Sequence, residues 1–181
     1  MRRAPRILEK LNYVRGEKVL AHVGGPSGSG KTELVNVLTP KVKNIRLIDL
    51  DMFDDEAEIE LGMSGVDKNS YTDAQLAAHH RMKQRLINNF IRLGSKPIIF
   101  FGHIEEAGRV IKIPTSVRIL LSTSPRSSAV RRGKHKDLSP TEIKELIEIG
   151  DEDVKYLKGL GYIPMSSREI YSMVLSWSKS L

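Results

Sequence analysis

Gly25-Pro26-Ser27-Gly28-Ser29-Gly30-Lys31-Thr32 fits the pattern G-x-x-x-x-G-K-[ST] at every fixed position. An apolar run from Val19 to Val23 leads into it, and Glu33-Leu34-Val35-Asn36-Val37-Leu38 leads out with helical spacing. Strand, glycine-rich turn and helix are the frame in which such a turn holds phosphate. The glycines let backbone N–H groups turn inward around a β-phosphate, and the dipole at the start of the next helix favours the anion. Lys31 is then placed to reach the β- and γ-phosphates, and the Thr32 hydroxyl to help hold Mg²⁺. The stretch predicts a nucleoside-triphosphate site, with ATP as the expected ligand and Gly25, Pro26, Ser27, Gly28, Ser29, Gly30, Lys31 and Thr32 as its binding residues.

The rest of the composition sets bounds on this reading. At 181 residues, with 40% hydrophobic and 28% charged content, the chain has the length and balance of one globular domain with a real core. It has no cysteine, which removes disulfides, thiolate metal sites and thiol nucleophiles and suits a reducing, cytoplasmic setting. No apolar stretch approaches the roughly 20 residues of a membrane span. The start, Met1-Arg2-Arg3-Ala4-Pro5-Arg6, is basic but lacks the apolar core of a signal peptide, and a first strand beginning near Lys18 leaves little room for a transit peptide. The formal charge of +7 fits cations gathered around a polyphosphate. Nucleic acid is the sharper alternative, disfavoured by the absence of a basic tail or an aromatic-basic ladder.

Patterning predicts alternating elements. A short helix is expected over 5–15, a strand over Val19–Val23, and a helix after the phosphate loop that stops before Pro40. A second strand is expected over Ile45–Asp49, then a polar, acidic excursion over Asp51–Ser70. Thr72, with Gln75 three residues on, starts a long helix with Leu76, Leu86, Ile87, Phe90 and Ile91 on its apolar face, ended by Gly94. Pro97–Phe101 and Val117–Leu121 read as strands buried on both faces. A helix over Ser124–Arg132 gives way to a basic run, and Ser139-Pro140-Thr141-Glu142 starts another that Gly150 is expected to break. Tyr162–Met165 reads as a short last strand. Ser166 and Glu169 cap a final helix that buries Ile170, Met173, Val174 and Trp177. The order implies a single three-layer α/β/α P-loop NTPase domain over 1–181 with a mainly parallel five-stranded sheet and the ligand at the carboxyl ends of the strands.

Two acids stand where the second strand should deliver them into that crevice. Asp49 and Asp51, spaced i, i+2, suit a metal-water contact and a group that orients or deprotonates an acceptor hydroxyl beside the γ-phosphate. Asp51 is the expected base and Asp49 the expected metal-side acid.

Asp51-Met52-Phe53 at the end of the second strand resembles the D-x-F element of small kinases related to uridine kinase and nicotinamide riboside kinase. In those families that Asp is the acceptor-hydroxyl base, which the resemblance carries to Asp51. Asp49-Leu50-Asp51 also resembles the D-x-D of shikimate-kinase-like enzymes, so the subfamily stays open. Ser124-Pro125-Arg126 through Arg131-Arg132 is similar to the lid entry of nucleoside and nucleotide kinases. It implies a lid over about 126–139, with Arg131 and Arg132 neutralising the transferred phosphoryl group and Arg126 binding the donor; Lys134 and Lys136 are further candidates. The third strand departs from those families: Phe101 stands where an acid often lies, leaving Glu105 or Asp49 to serve the metal, while His103 is a lone loop histidine, either a substrate contact or a structural or solvated group.

The acceptor side is read from Asp54-Asp55-Glu56-Ala57-Glu58-Ile59-Glu60, with Lys68 the only cation of the 51–71 excursion. So acidic a segment repels a second phosphate. It favours a small neutral or cationic acceptor bearing a hydroxyl, a nucleoside first, although Arg81 and Arg85 on the next helix are candidates to reach inward. The alternatives are a polynucleotide 5′-hydroxyl kinase, a nucleoside monophosphate kinase and a non-catalytic NTP-binding switch. Neither D-x-x-G nor N-K-x-D occurs where a GTPase would need it.

Overall fold

Strands that are apolar throughout need cover on both faces, and the alternation of side chains along them decides which helices supply it. The computed structural model describes residues 16–106 and 109–181; the helix expected over 5–15 lies outside them. Its strands are β1 (Val19–Gly24), β2 (Arg46–Asp49), β3 (Ile98–Phe101), β4 (Glu105–Glu106), β5 (Arg109–Val110), β6 (Arg118–Leu121) and β7 (Ile163–Met165). Its helices are α1 (Lys31–Leu38), α2 (Met52–Glu60), α3 (Asp73–Leu93), α4 (Pro125–Lys136), α5 (Pro140–Gly159) and α6 (Ser167–Ser180).

Five strands form one parallel sheet in the order β2-β3-β1-β6-β7. The chain leaves central β1 for the far edge, returns to fill the gap with β3, then crosses to the other side with β6 and β7. Ile99, Phe101, Ile119 and Leu121 point to one face, where Leu34 and Leu38 of α1 and Ile170, Met173, Val174 and Trp177 of α6 cover them. Ile98, Phe100 and Leu120 point to the other, against Phe53 of α2, Ile87 of α3 and Leu157 of α5. The result is the three-layer α/β/α arrangement of a P-loop domain. Pairing between β1 and β3 slips between Val19 and Ala21, so the neighbours Leu20 and Ala21 both join the first face.

Three capping boxes start helices where sequence placed them: Thr72 with Gln75, Ser139 with Glu142, and Ser166 with Glu169. Each satisfies two otherwise unpaired N–H groups and is worth about 1 kcal/mol. Three expectations need correction. The stretch after Asp51 is not an irregular excursion, because its first half is α2, which buries Phe53 and Ala57 at i, i+4 and sets Asp54 and Asp55 at its positive end. The basic run after Arg132 stays helical to Lys136, and α4 closes on Asp137 in the left-handed region, at φ 49°. Gly150 does not break a helix either. It is buried inside a continuous α5, where a Cβ would lie 3.0 Å from the Cβ of Pro125 and 3.4 Å from that of Pro26, so the missing side chain serves close packing.

The small hairpin β4–β5 pairs Glu105 with Val110 and Glu106 with Arg109, away from the main sheet. Gln84 of α3 holds the irregular segment beyond it. Its side-chain amide donates to the Lys112 carbonyl at 3.1 Å and its carbonyl accepts from the Lys112 N–H at 2.7 Å. One glutamine thus satisfies a backbone donor and acceptor that have no neighbouring strand. Among the described residues no helix is long and apolar enough to cross a membrane.

Candidate functional site

The phosphate loop follows β1, the middle strand, and opens at the carboxyl ends of its neighbours. It is shaped by backbone freedom and by three tethers. Gly28 and Gly30 have φ of 77° and 97°, in the left-handed region that glycine adopts at least cost. A Cβ at Gly28 would come within 2.5 Å of the Ser128 carbonyl oxygen, so α4 lies directly on the loop. The Ser29 N–H donates to the Pro26 carbonyl at 3.1 Å, and the Thr123 hydroxyl donates to the Ser29 carbonyl at 3.0 Å, tying the loop to the end of β6. Lys31 Nζ donates to the carbonyls of Gly25 and Pro26 at 2.7 and 3.0 Å and to Ser29 Oγ at 3.3 Å.

Asp49 and Asp51 both arrive here. Thr32 Oγ1 donates to Asp49 Oδ2 at 2.9 Å, and the Asp51 N–H donates to Asp49 Oδ1 at 3.2 Å. Asp51 occupies the N-cap position of α2, yet its side chain makes no capping bond, so the carboxylate is not spent on the helix. Although Asp51 stands at the solvent-facing rim, desolvation raises its carboxyl above the usual aspartate value. Asp49 and Asp54 push the same way, and Lys83 and Lys31 oppose them. Burial lowers the Lys31 ammonium below the usual lysine value, against the pull of Asp51, Asp49 and Asp153.

The predicted lid arginines separate. Arg132 donates from Nη1 to Ser27 Oγ, and Arg131 Nη1 lies 3.0 Å from where a Gly30 Cβ would stand. Both therefore touch the loop. Arg126, Lys134 and Lys136 are exposed along α4. At the end of β3, Phe101 is fully buried, so no acid stands at that point, and the Glu105 backbone is engaged in the hairpin. Beside the loop a cavity of about 380 Å³ is bounded by Ser29 and Gly30, Glu33 and Val37 of α1, Arg131 of α4, and Tyr171 of α6.

Sequence reasoning missed what lies under α2. Lys83 and His79, one turn apart on α3, are buried together with Ile87. Lys83 Nζ sits 2.6 Å from Asp54 Oδ1, while Lys68 Nζ sits 3.9 Å from Asp54 and 3.4 Å from Glu58. Part of the acidic segment is thereby neutralised by Lys83 from outside it as well as by Lys68, its own single cation. Arg81 and Arg85, in contrast, lie on the exposed face of α3. Breaking this pair should be costly. Lys83→Met leaves the mostly buried Asp54 carboxylate short of its nearest partner and is expected to lower unfolding free energy by about 3 kcal/mol. Urea denaturation at pH 7 checks this, with Lys83→Met/Asp54→Asn recovering part of the loss.

Two further groups reach the site, of which the sequence singles out only His103. Asp153 of α5 acts electrostatically on Lys31, and His103, just past β3, places Nε2 3.7 Å from Asp153 Oδ1. Behind them His22 of β1 is fully buried, with Nδ1 2.5 Å from the Tyr162 hydroxyl. Burial holds its pKa down to about 3, the neighbouring Gly102 backbone offsetting only part of this, so the ring is neutral at pH 7.

The fold has solved relatives. The crystal structure of TT1252 from Thermus thermophilus matches with a TM-score of 0.59 at 15% identity, over 90% of this chain and 96% of that one. An unliganded sugar kinase from Janibacter sp. HTCC2649 matches with a TM-score of 0.45 at 17% identity, over 88% and 91%. The first likeness speaks for the fold alone, and the second is too distant to argue from. No protein-family profile matches the sequence, and no curated protein matches it.

Proposed function

We propose that the protein is an ATP-dependent phosphotransferase that moves the γ-phosphoryl group to a hydroxyl of a small, non-phosphorylated acceptor, a nucleoside first. The observation that carries this reading is the meeting of Asp49 and Asp51 with the phosphate loop. One acid is hydrogen-bonded to Thr32, and the other stands free of capping duty beside it.

In this reading the loop N–H groups and Lys31 bind the β- and γ-phosphates. Lys31 exchanges its bonds to the loop carbonyls for phosphate oxygens as charge grows on the transferred group. Thr32 Oγ1 and Asp49, a hydroxyl and a carboxylate within 2.9 Å, are the hard oxygen donors that Mg²⁺ takes. When bound there, Mg²⁺ supplies charge neutralisation on the phosphate oxygens. Asp51 accepts the proton of the acceptor hydroxyl. Arg131 and Arg132, the lid pair on α4, hold the donor phosphates from the side opposite β2, and Arg126 joins them when the lid of 126–139 closes. The cavity edged by Arg131 and Tyr171 takes the base of the donor.

Lys68 and Lys83 are engaged by Asp54 and Glu58, and α2 contains no lysine or arginine, so the acidic segment offers an acceptor phosphate no unengaged cation. This weighs against a nucleoside monophosphate as acceptor. The test is incubation with γ-labelled ATP and Mg²⁺ against nucleosides, nucleoside monophosphates, sugars and 5′-hydroxyl oligonucleotides. Label is expected on a neutral hydroxyl compound. Label on oligonucleotides alone would replace this reading with a polynucleotide kinase, and inorganic phosphate as the only product would replace it with a switch.

A further inference from the structure

Charge is divided between the two ends of the sheet. The five strands are parallel, so the chain enters all of them at one edge, opposite the phosphate loop. Taken in the order of the sheet, each entry carries an exposed cation: Arg46 on β2, Lys96 before β3, Lys18 before β1, Arg118 on β6, and Lys158 in the last turn of α5, ahead of β7. At about 4.8 Å between neighbouring strands, these entries form a row about 20 Å long. Lys41 and Lys43, Arg92 at the end of α3 and Lys179 at the end of α6 flank it, all exposed. Short contacts join the segments into one face. Lys96 Nζ donates to the Lys43 carbonyl at 2.9 Å, Lys18 Nζ to the Arg92 carbonyl at 2.8 Å, and the Asn44 amide to the Ser178 carbonyl at 3.4 Å.

Acids avoid this face. The segments that turn or end there are 16–18, 38–46, 89–98, 111–118, 155–163 and 175–181, and the half-buried Glu17 is their one acid. Acids gather instead at the opposite end, as Asp49, Asp51, the α2 run and the first-turn acids Asp73, Glu142 and Glu169. The bonds of Lys18 and Lys96 go to carbonyls, which leave their charge uncancelled. The C-termini of α1, α3, α5 and α6 point to this end, yet each offers only about half a negative charge. The formal charge of +7 is therefore not gathered around the phosphate loop alone, and much of it stands at the far end.

We propose that this face docks double-helical nucleic acid through its phosphate backbone, without reading sequence. A row of about 20 Å spans about six phosphates of one strand, at about 3.4 Å each along the axis. Arg46 lies over the Phe90 ring at 4.1 Å and Lys41 over the Tyr171 ring at 5.0 Å, so these rings serve cations rather than stacked bases. A bilayer would also need apolar anchorage beside the charge. Among the described residues, Leu93 is the only large apolar side chain of this face more than half exposed, at 77%. The face lies opposite the phosphate loop, so duplex and ATP do not compete, and the inference stands apart from the phosphotransferase reading.

The test is fluorescence anisotropy of a labelled, mixed-sequence DNA duplex of about 20 base pairs, titrated with the full chain at pH 7. In about 50 mM salt, half-saturation is expected at about 10 μM or below, with a slope of log affinity against log salt of about −4 to −5. Lys43→Glu/Lys96→Glu should weaken binding about tenfold or more and flatten the slope by about two. Arg81→Glu/Lys144→Glu carries the same net charge and should cost no more than about threefold. Lys31→Ala, or saturating Mg²⁺ and ATP, should also leave duplex affinity within about threefold. Unchanged affinity for a fluorescent ADP analogue shows that the two double variants are folded. Half-saturation above about 100 μM, equal losses in the two double variants, competition by ATP, or tighter binding of a single strand of the same length would overturn the proposal. Binding of phosphatidylserine vesicles without binding of the duplex would overturn it in favour of a membrane. Duplex binding without phosphoryl transfer to any compound leaves the docking face standing and removes the kinase reading, and transfer without duplex binding does the reverse.

Discussion

Lys31→Ala is expected to lower phosphoryl transfer by about 10³-fold and to weaken ATP binding with it. The side chain has two duties that alanine cannot share. Its ammonium bonds to Gly25 and Pro26 carbonyls and to Ser29 Oγ, which holds the loop in its turn, and in the proposed reaction it is the charge that meets the γ-phosphate. Stability should respond differently. Burial already disfavours the charged form of Lys31, so removing it relieves a cost while it removes three hydrogen bonds. A change in unfolding free energy within about 1 kcal/mol is expected. Calorimetric ATP titration beside urea denaturation separates the two effects. Transfer and affinity both left intact would end the reading of this loop as a phosphate site.

The second large effect belongs to Asp51→Asn, which keeps the shape of the side chain and removes its proton-accepting charge. Transfer is expected to fall about 10²- to 10⁴-fold while ATP affinity stays within about threefold of wild type. The structure separates it from its neighbour. Both Asp49 oxygens are engaged, one by Thr32 and one by the Asp51 N–H, whereas the Asp51 carboxylate is not used as a helix cap. Asp49→Asn should therefore weaken binding of the magnesium-triphosphate complex, where Asp51→Asn should not. The surroundings of Asp51 disfavour its ionised form, so the asparagine protein should be at least as stable as wild type. Single-turnover transfer beside equilibrium binding distinguishes the variants. Full turnover by Asp51→Asn would place the base elsewhere.

How much of this was readable before the fold depends on the range of the interaction involved. Capping is local, and Thr72, Ser139 and Ser166 each carry their partner three residues on, so these helix starts were visible as written. Strands β3 and β6 are apolar runs buried on both faces, again a local signal. The phosphate-loop pattern and the Asp49–Asp51 pair were legible because each is a short run directly following, or ending, its own apolar strand. What failed was non-local. The stretch after Asp51 looks like solvated acid until Lys83, from a distant turn of α3, supplies the charge that lets Asp54 sit inside. Gly150 looks like a break until Pro26 and Pro125 show why a side chain there has no room. Asp153 is one acid among several on α5, and only the rotation of that helix against the loop turns it toward Lys31.

The seam formed by Gly150, Pro26 and Pro125 also bears on the thermodynamics of ligand capture. Two ring-locked prolines meet a residue without a side chain, and each comes from a different segment: the loop, the start of α4 and the middle of α5. Much of the conformational entropy a glycine-rich turn would lose on gripping a polyphosphate has therefore been surrendered during folding. Binding free energy is correspondingly less depleted by loop ordering. In the proposed function the turn acts as a preorganised receptor whose rigidity is borrowed from a contact outside the motif.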